Sequence, residues 1–256
     1  MAARLALVFE RTVTYPAAYT HLEPSRDAEI LLALQWLAKQ QEAIGGEILV
    51  LAPGLSNLDN SEVIARYRRS LRCMSEVTFK KRSHEWNGGP ALALWPTASM
   101  MALIDESHRT RAVAAVPWLL DDIGPWVRAR RPIDLLGIAG RLSEAGISDP
   151  VVRIAMEHLS IGVNLSTGLT HPSDKARAVE TFRVLRRGGH RWVPEEIQAW
   201  ALGHGWRNRG AEDLRKYAAG VLEGKTFRTA GFGLNPSVLE AWRQQAAGQA
   251  GGPVTG

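Results

Sequence analysis

Apolar and polar positions alternate between two kinds of pattern along this chain, and the change of pattern divides it. Ala91–Trp118 is the clearest stretch: ALALWPT, then ASMMALIDESHRTR, then AVAAVPW. Two short apolar runs flank an amphipathic segment, which predicts a β-α-β unit whose strands Ala91–Trp95 and Ala112–Val116 each end beside a proline and a tryptophan. Upstream, Arg4–Phe9 (RLALVF) and Glu47–Ala52 (EILVLA) read as buried strands. Between them TVTYPAAYTHLEPSRD carries two prolines and reads as a long loop. The helix Ala28–Ile44 follows, with Ile30, Leu31, Leu34, Leu37 and Ala38 at helical spacing and Gly45-Gly46 as its stop.

Asn60 or Ser61 caps a helix expected to run through Arg72. SEVTFKK (Ser75–Lys81) alternates as a strand does, and its short link to Ala91–Trp95 allows an antiparallel pairing. Asp121 or Asp122 caps a helix to about Arg130, and Pro132–Gly137 is a last short strand. Strands alternating with helices argue for a mostly parallel sheet covered on both faces, so residues 1–140 are expected to form a Rossmann-like α/β domain.

After Gly140 the period changes. Asp149–Val163, Ser173–Arg187, Pro194–Gly203, Ala211–Leu222 and Pro236–Gln245 all read as helices, with Gly188-Gly189, Gly203-His204-Gly205 and Gly224 as stops. Residues 141–246 are therefore expected to form a helical domain. Residues 247–256, rich in Gly and Ala, are expected to be a flexible tail.

Composition narrows the function classes. The 256 residues are 45% hydrophobic and 22% charged, which suits a packed core and not a disordered chain. Lys plus Arg exceed Asp plus Glu by 31 to 26, a dilute net +5 that is compatible with a polyanion partner. Cys73 is the only cysteine, so neither an internal disulfide nor a cysteine metal cage is expected. The N-terminal apolar run is broken by Glu10 and Arg11 and reads as a strand, not a signal peptide. No segment reaches the ~18 apolar residues of a membrane span. A cytoplasmic, reduced protein with no membrane partner is the expectation.

Four stretches carry candidate chemistry. In parallel sheets ligands sit outside the carboxyl ends of the strands, which here offer Ser56, Asn57, Trp95, Thr97 and Trp118. The bland reading of the tryptophans is packing between domains. Asp105-Glu106-Ser107-His108 matches the DExH box of helicase-type ATPases, but no GxxxxGK[ST] accompanies it and it falls at a helix end, so it reads as coincidence. The turn from Asn164 to Lys175 gathers Ser166, Thr167 and His171 about a helix start that favours an anion; its plainer reading is a turn with Ser173 as N-cap.

The fourth candidate is basic. Arg66, Arg69 and Arg72 are expected on one helix face, Lys80 and Lys81 close by in sequence, Arg186 and Arg187 on a second helix, and Arg207, Arg209 and Lys216 on a loop entering a third. Solvated helix faces are the ordinary alternative. Other chemistry is thin: the seven histidines form no HExxH or HxH pair, and GxSxG and GxGxxG are absent. Cys73 is expected to follow a helix, where nothing activates it, and Asp121-Asp122 is a helix cap before it is a general base. No cofactor is implied and no catalytic residue is assigned.

Two functional readings follow. The leading one is a nucleic-acid-binding accessory protein that contacts phosphates through arginines on helical faces. The alternative is an enzyme or sensor that takes a small phosphorylated or nucleotide-like ligand in a cleft between the α/β and helical domains. A protein-interaction module is the blandest outcome.

Overall fold

The computed structural model describes residues 15–21, 26–137, 146–165, 167–229 and 231–250. The strand expected at Arg4–Phe9 lies outside them. The chain divides into two compact units, one within Thr12–Ser143 and the other within Glu144–Gly256.

The first unit holds a six-stranded sheet: β1 (Ala17–Tyr19), β2 (Leu49–Ala52), β3 (Arg72–Ser75), β4 (Gly89–Leu94), β5 (Thr110–Val116) and β6 (Ile133–Asp134). Their order is β3-β2-β4-β5-β1-β6, and every pairing is parallel. Strands buried on both faces need apolar residues throughout, and β2 and β4 are buried at every position. Alternate residues feed two cores. Leu49, Leu51, Ala91, Ala93, Val113 and Ala115 pack with Phe79, Met100, Ile104 and Trp126. Val50, Ala52, Leu92, Leu94, Ala114 and Val116 pack with Ile30, Leu34, Leu37 and Ile64.

Helices α1 (Arg26–Ile44) and α2 (Glu62–Tyr67) thus cover one face. Helices α3 (Glu76–Arg82), α4 (Ala98–Glu106) and α5 (Gly124–Arg130) cover the other. Crossovers toward β3 run on one face and crossovers toward β6 on the other, as right-handed connections require.

Several elements differ from expectation. The helix capped by Ser61, whose Oγ accepts from the Ile64 N–H at 3.2 Å, stops at Tyr67. A 3-10 turn, Arg68–Ser70, then leads into β3. SEVTFKK is not a strand: Ser75 ends β3 and caps α3, accepting from the Thr78 N–H at 3.2 Å. Glu76 in the first turn and Lys80–Arg82 in the last complement the helix dipole. The antiparallel pairing is excluded, because β3 runs parallel to β2. Strand β1 lies within the stretch expected to be loop; Pro16 and two alanines give it no apolar signature, and its pairing with β5 holds it.

In the second unit helices α6 (Pro150–Gly162), α7 (Pro172–Arg187), α8 (Pro194–Gly203), α9 (Asn208–Leu222) and α10 (Val238–Ala250) follow the expected spacing. Helix α10 runs past Gln245 into the expected tail, and residues 251–256 lie outside the described ones. Asp149 caps α6 by accepting from the Val151 and Val152 N–H groups at 2.8 and 3.3 Å, with His190 Nδ1 at 2.7 Å from its other oxygen. Helices α7 and α9 run side by side in the same direction. At their starts, a Cβ on Gly168 (φ +64°) would meet Gly210 Cα at 2.8 Å. At their ends, Arg186 Nη1 donates to the Val221 carbonyl at 2.6 Å.

Candidate functional site

The parallel topology puts every helix start of the first unit at the carboxyl end of the sheet and every helix end at the amino end. First turns carry Asp27, Glu62 and Glu76, with Asp121 and Asp122 in a 3-10 turn after β5. Last turns carry Arg66, Lys80, Lys81, Arg82, Arg128 and Arg130. The helix dipole favours this placement where it occurs; α4 departs from it, with no acidic first turn and with Asp105 and Glu106 in its last. Together the helices give the sheet an acidic end and a basic end.

At the basic end, four residues from two sequence clusters flank the edge strand β3, on helices that cover opposite faces of the sheet. Arg66 and Arg69 lie just before it, and Lys80 and Lys81 lie in the last turn of α3; all four are exposed, and none forms an ion pair among the described residues. Their neighbours are committed: Arg68 pairs with Asp59 at 2.6 Å. Arg72 is not on the helix face with Arg66 and Arg69. It begins β3, where Nη2 donates to the Glu85 carbonyl at 2.8 Å, and Arg82 pairs with the same glutamate. The helix expected there ends five residues earlier, which is why the shared face does not exist.

The second unit holds a cavity of about 510 Å³ lined by Arg183, Arg186, Arg187, Val221, Gly224, Lys225 and Thr226. Its cations have local partners. Arg187 and Arg183 reach Glu180 at 2.6 and 3.6 Å, and Lys225 reaches Glu223 at 2.6 Å. Arg186 satisfies an end carbonyl of α9. Arg207 and Arg209 are exposed at the start of α9, whereas Lys216 is tied to Glu212 at 2.9 Å.

The Asn164–Lys175 turn closes on itself. The Asn164 carbonyl accepts from the Thr167 and Gly168 N–H groups at 3.2 and 2.9 Å, and its N–H reaches Asp174 at 3.4 Å. His171, not Ser173, caps α7: Nδ1 accepts from the Ser173 N–H at 3.3 Å, and Pro172 takes the first helical position. The preceding helix ends at Gly162, with Val163 and not Asn164 as its cap. Lys175 Nζ lies 5.8 Å from the Tyr217 ring. Ser166 lies outside the described residues.

At the acidic end, Asn57 Oδ1 accepts from the Gly54 N–H at 2.8 Å and so serves its own turn, beside an exposed Ser56. Thr97 caps α4, accepting from the Met100 N–H at 3.2 Å, and it meets Ser99 and Glu76. Trp95 adopts a left-handed backbone (φ +47°), uncommon for a non-glycine residue. Its ring meets that of Trp118 edge-on at 6.4 Å, and Trp118 is 46% exposed. Asp122 Oδ2 accepts from the Leu119 N–H at 3.0 Å, as a cap does.

The remaining candidates are structural. Asp105 of the DESH stretch is buried at the end of α4. It accepts from Arg130 Nε at 3.0 Å and from a second guanidinium nitrogen, and Tyr15 donates to it as well. Burial, then the carboxylate, pushes the Tyr15 phenol far above its ordinary range. Cys73 lies within β3 and does not follow a helix; burial raises its thiol although Arg68 works the other way. Among the described residues no group of His, Cys, Asp and Glu is placed to hold a metal, and no helix is long and apolar enough to cross a membrane.

Residues 148–243, which run from just before α6 into α10, match the family model described as a domain of unknown function (DUF1889). The match covers the helical unit and less than half of the chain. Comparison with curated proteins finds no match, and comparison with solved structures finds none.

Proposed function

We propose that the protein binds nucleic acid as an accessory factor, and that the amino end of its sheet makes the principal contact. The carrying observation is that Arg66, Arg69, Lys80 and Lys81 flank the edge strand β3 toward the amino end of the sheet, exposed and without ion pairs among the described residues. Cations already held by a neighbouring carboxylate must give up that partner before they neutralise a phosphate. Unpaired ones release counterions at no such cost. This ranks the amino end of the sheet above Arg183, Arg187 and Lys216, each of which has a carboxylate neighbour. Arg207 and Arg209, exposed at the start of α9, supply a second contact on the helical unit.

Binding to a labelled oligonucleotide, followed across a salt series, tests the reading. Affinity should fall steeply with salt, and a variant carrying R66E, R69E, K80E and K81E should lose it. Each phosphate contact removed should flatten the plot of log K against log salt by about one. R186E with R187E should change the slope less. Unchanged affinity in the fourfold variant sinks the proposal.

A further inference from the structure

The amino end of the sheet also holds a cavity. Its volume is about 310 Å³, and it lies where α1 passes the start of β2 and the residues that lead into β3. Leu31, Leu34, Gln35, Ala38 and Gln41 recur at helical spacing and form one wall. Leu34 and Ile48 are buried in the core on that face, and Leu71 packs against it, so the inner part is apolar. Gln35, Ala38, Tyr67 and Ser70 are exposed and form the mouth. A core that opens to solvent instead of closing marks a place for a ligand.

The lining limits what fits. Ligand pockets run to roughly 300–1,000 Å³, so this one suits a single ring system and not an extended cofactor. Tyr67, 42% exposed, supplies an aromatic ring at the mouth. Ser70 Oγ donates to the Tyr67 carbonyl at 2.9 Å and Gln41 Nε2 to the Gly46 carbonyl at 2.7 Å, which leaves each side chain an oxygen able to accept. The exposed Gln35 amide can both donate and accept. A flat ring with donors and acceptors on its edge meets these groups.

Charge decides what carries the ring. The chain neighbours of the four mouth residues include Lys39, Arg66, Arg68 and Arg69, and no carboxylate. Arg68 is held by Asp59, but Lys39, Arg66 and Arg69 are exposed and have no ion pair among the described residues. Glu42 and Glu47 adjoin only the less exposed Gln41 and Ile48. An apolar cavity flanked by unpaired cations fits a flat base whose own backbone is anionic. A duplex keeps its bases stacked inside, out of reach of such a cavity, whereas a single strand can turn one out. Resting on the nucleic-acid reading above, we propose that the protein selects single-stranded nucleic acid. One base unstacks into this cavity against Tyr67, and the flanking phosphates lie on Lys39, Arg66 and Arg69.

Anisotropy titration of the full chain with a labelled single-stranded oligonucleotide, the duplex of the same sequence and an abasic strand of equal length tests this. The abasic strand keeps the phosphates and lacks the bases. The single strand should bind about tenfold more tightly than either. Y67A should weaken single-strand binding about tenfold at every salt concentration and leave the salt slope unchanged, while Y67F keeps the affinity. A38L fills the mouth with a good helix former; it should melt no lower than the parent and weaken binding by a similar factor. Equal affinity for the abasic strand or the duplex overturns the proposal, and so does full affinity in Y67A or in A38L. If that happens while R66E/R69E/K80E/K81E still loses binding, the phosphate surface stands and the base cavity alone falls. No binding to any of the three ligands overturns both.

Discussion

The two ends of the sheet solve the same problem differently. At the amino end a buried charge is fully answered: Asp105 takes two bonds from Arg130 and one from Tyr15. The cations outside it face solvent. At the carboxyl end the charges are acidic caps, and Thr20 Oγ1, His21 Nδ1 and Trp95 Nε1 are buried without a partner, as are Trp126 Nε1 and Arg128 Nε on α5. A satisfied network fixes a structure, while an unsatisfied one draws on stability held elsewhere. The contrast gives the amino end a closed buried network under solvent-facing cations, and the carboxyl end acidic caps over a less complete one.

Mutations sharpen or break this contrast, and the largest effect belongs to the amino end. D105A leaves Arg130 and Tyr15 buried without their partner and should cost about 3–5 kcal/mol in chemical denaturation; a loss under about 1 kcal/mol would mean that the network is relaxed. In the helical unit G168A forces a Cβ into Gly210 from a left-handed backbone, and should cost about 1–3 kcal/mol by the same measurement. Removing one helix cap at the carboxyl end, by S75A or T97A, should cost about 1 kcal/mol. T20V, against the usual expectation for a buried position, should cost nothing in thermal melting.

Acid offers a separate check on the helical unit. Burial pushes the Asp149 carboxyl up, but hydrogen bonds from His190 and from the Val151 and Val152 N–H groups outweigh it and hold the group below its usual 3.8. A carboxylate lowered on folding adds stability that is present above its unfolded pKa and lost as pH falls through the folded one. Melting temperature should therefore drop below about pH 4, and D149N should flatten that drop.

Much of the architecture was legible because it depends on local pattern. The runs ALAL and AVAAV are short, apolar at consecutive positions and bounded by turn residues, which suits a doubly covered strand, and Pro194–Gly203 carries both its start and its stop. SEVTFKK misled because two apolar residues happened to alternate. In the helix Phe79 is buried while Val77 is 61% exposed, so only one of them reports a core. Ser75 with Glu76 was the overlooked sign of a helix start. Strand β1 had no local sign at all, since Ala17 and Ala18 are buried by their neighbours and not by a pattern of their own. The basic clusters were visible, but their gathering at one end follows from strand order. The unpartnered buried atoms of Thr20 and His21 were not legible, because an unmet hydrogen bond is a property of surroundings that the chain supplies from afar.

Strand order also has a consequence in time. Strands β2, β3, β4 and β5 form a contiguous block from consecutive sequence, whereas β1 sits between β5 and β6. Ala17 must wait for Val113, and β6 has only β1 to join. As the chain emerges from the ribosome, its earliest described strand is among the last to be placed, closing one of the longest loops in the unit. The strand end beside Thr20 and His21 is thus completed only after the rest of the sheet exists.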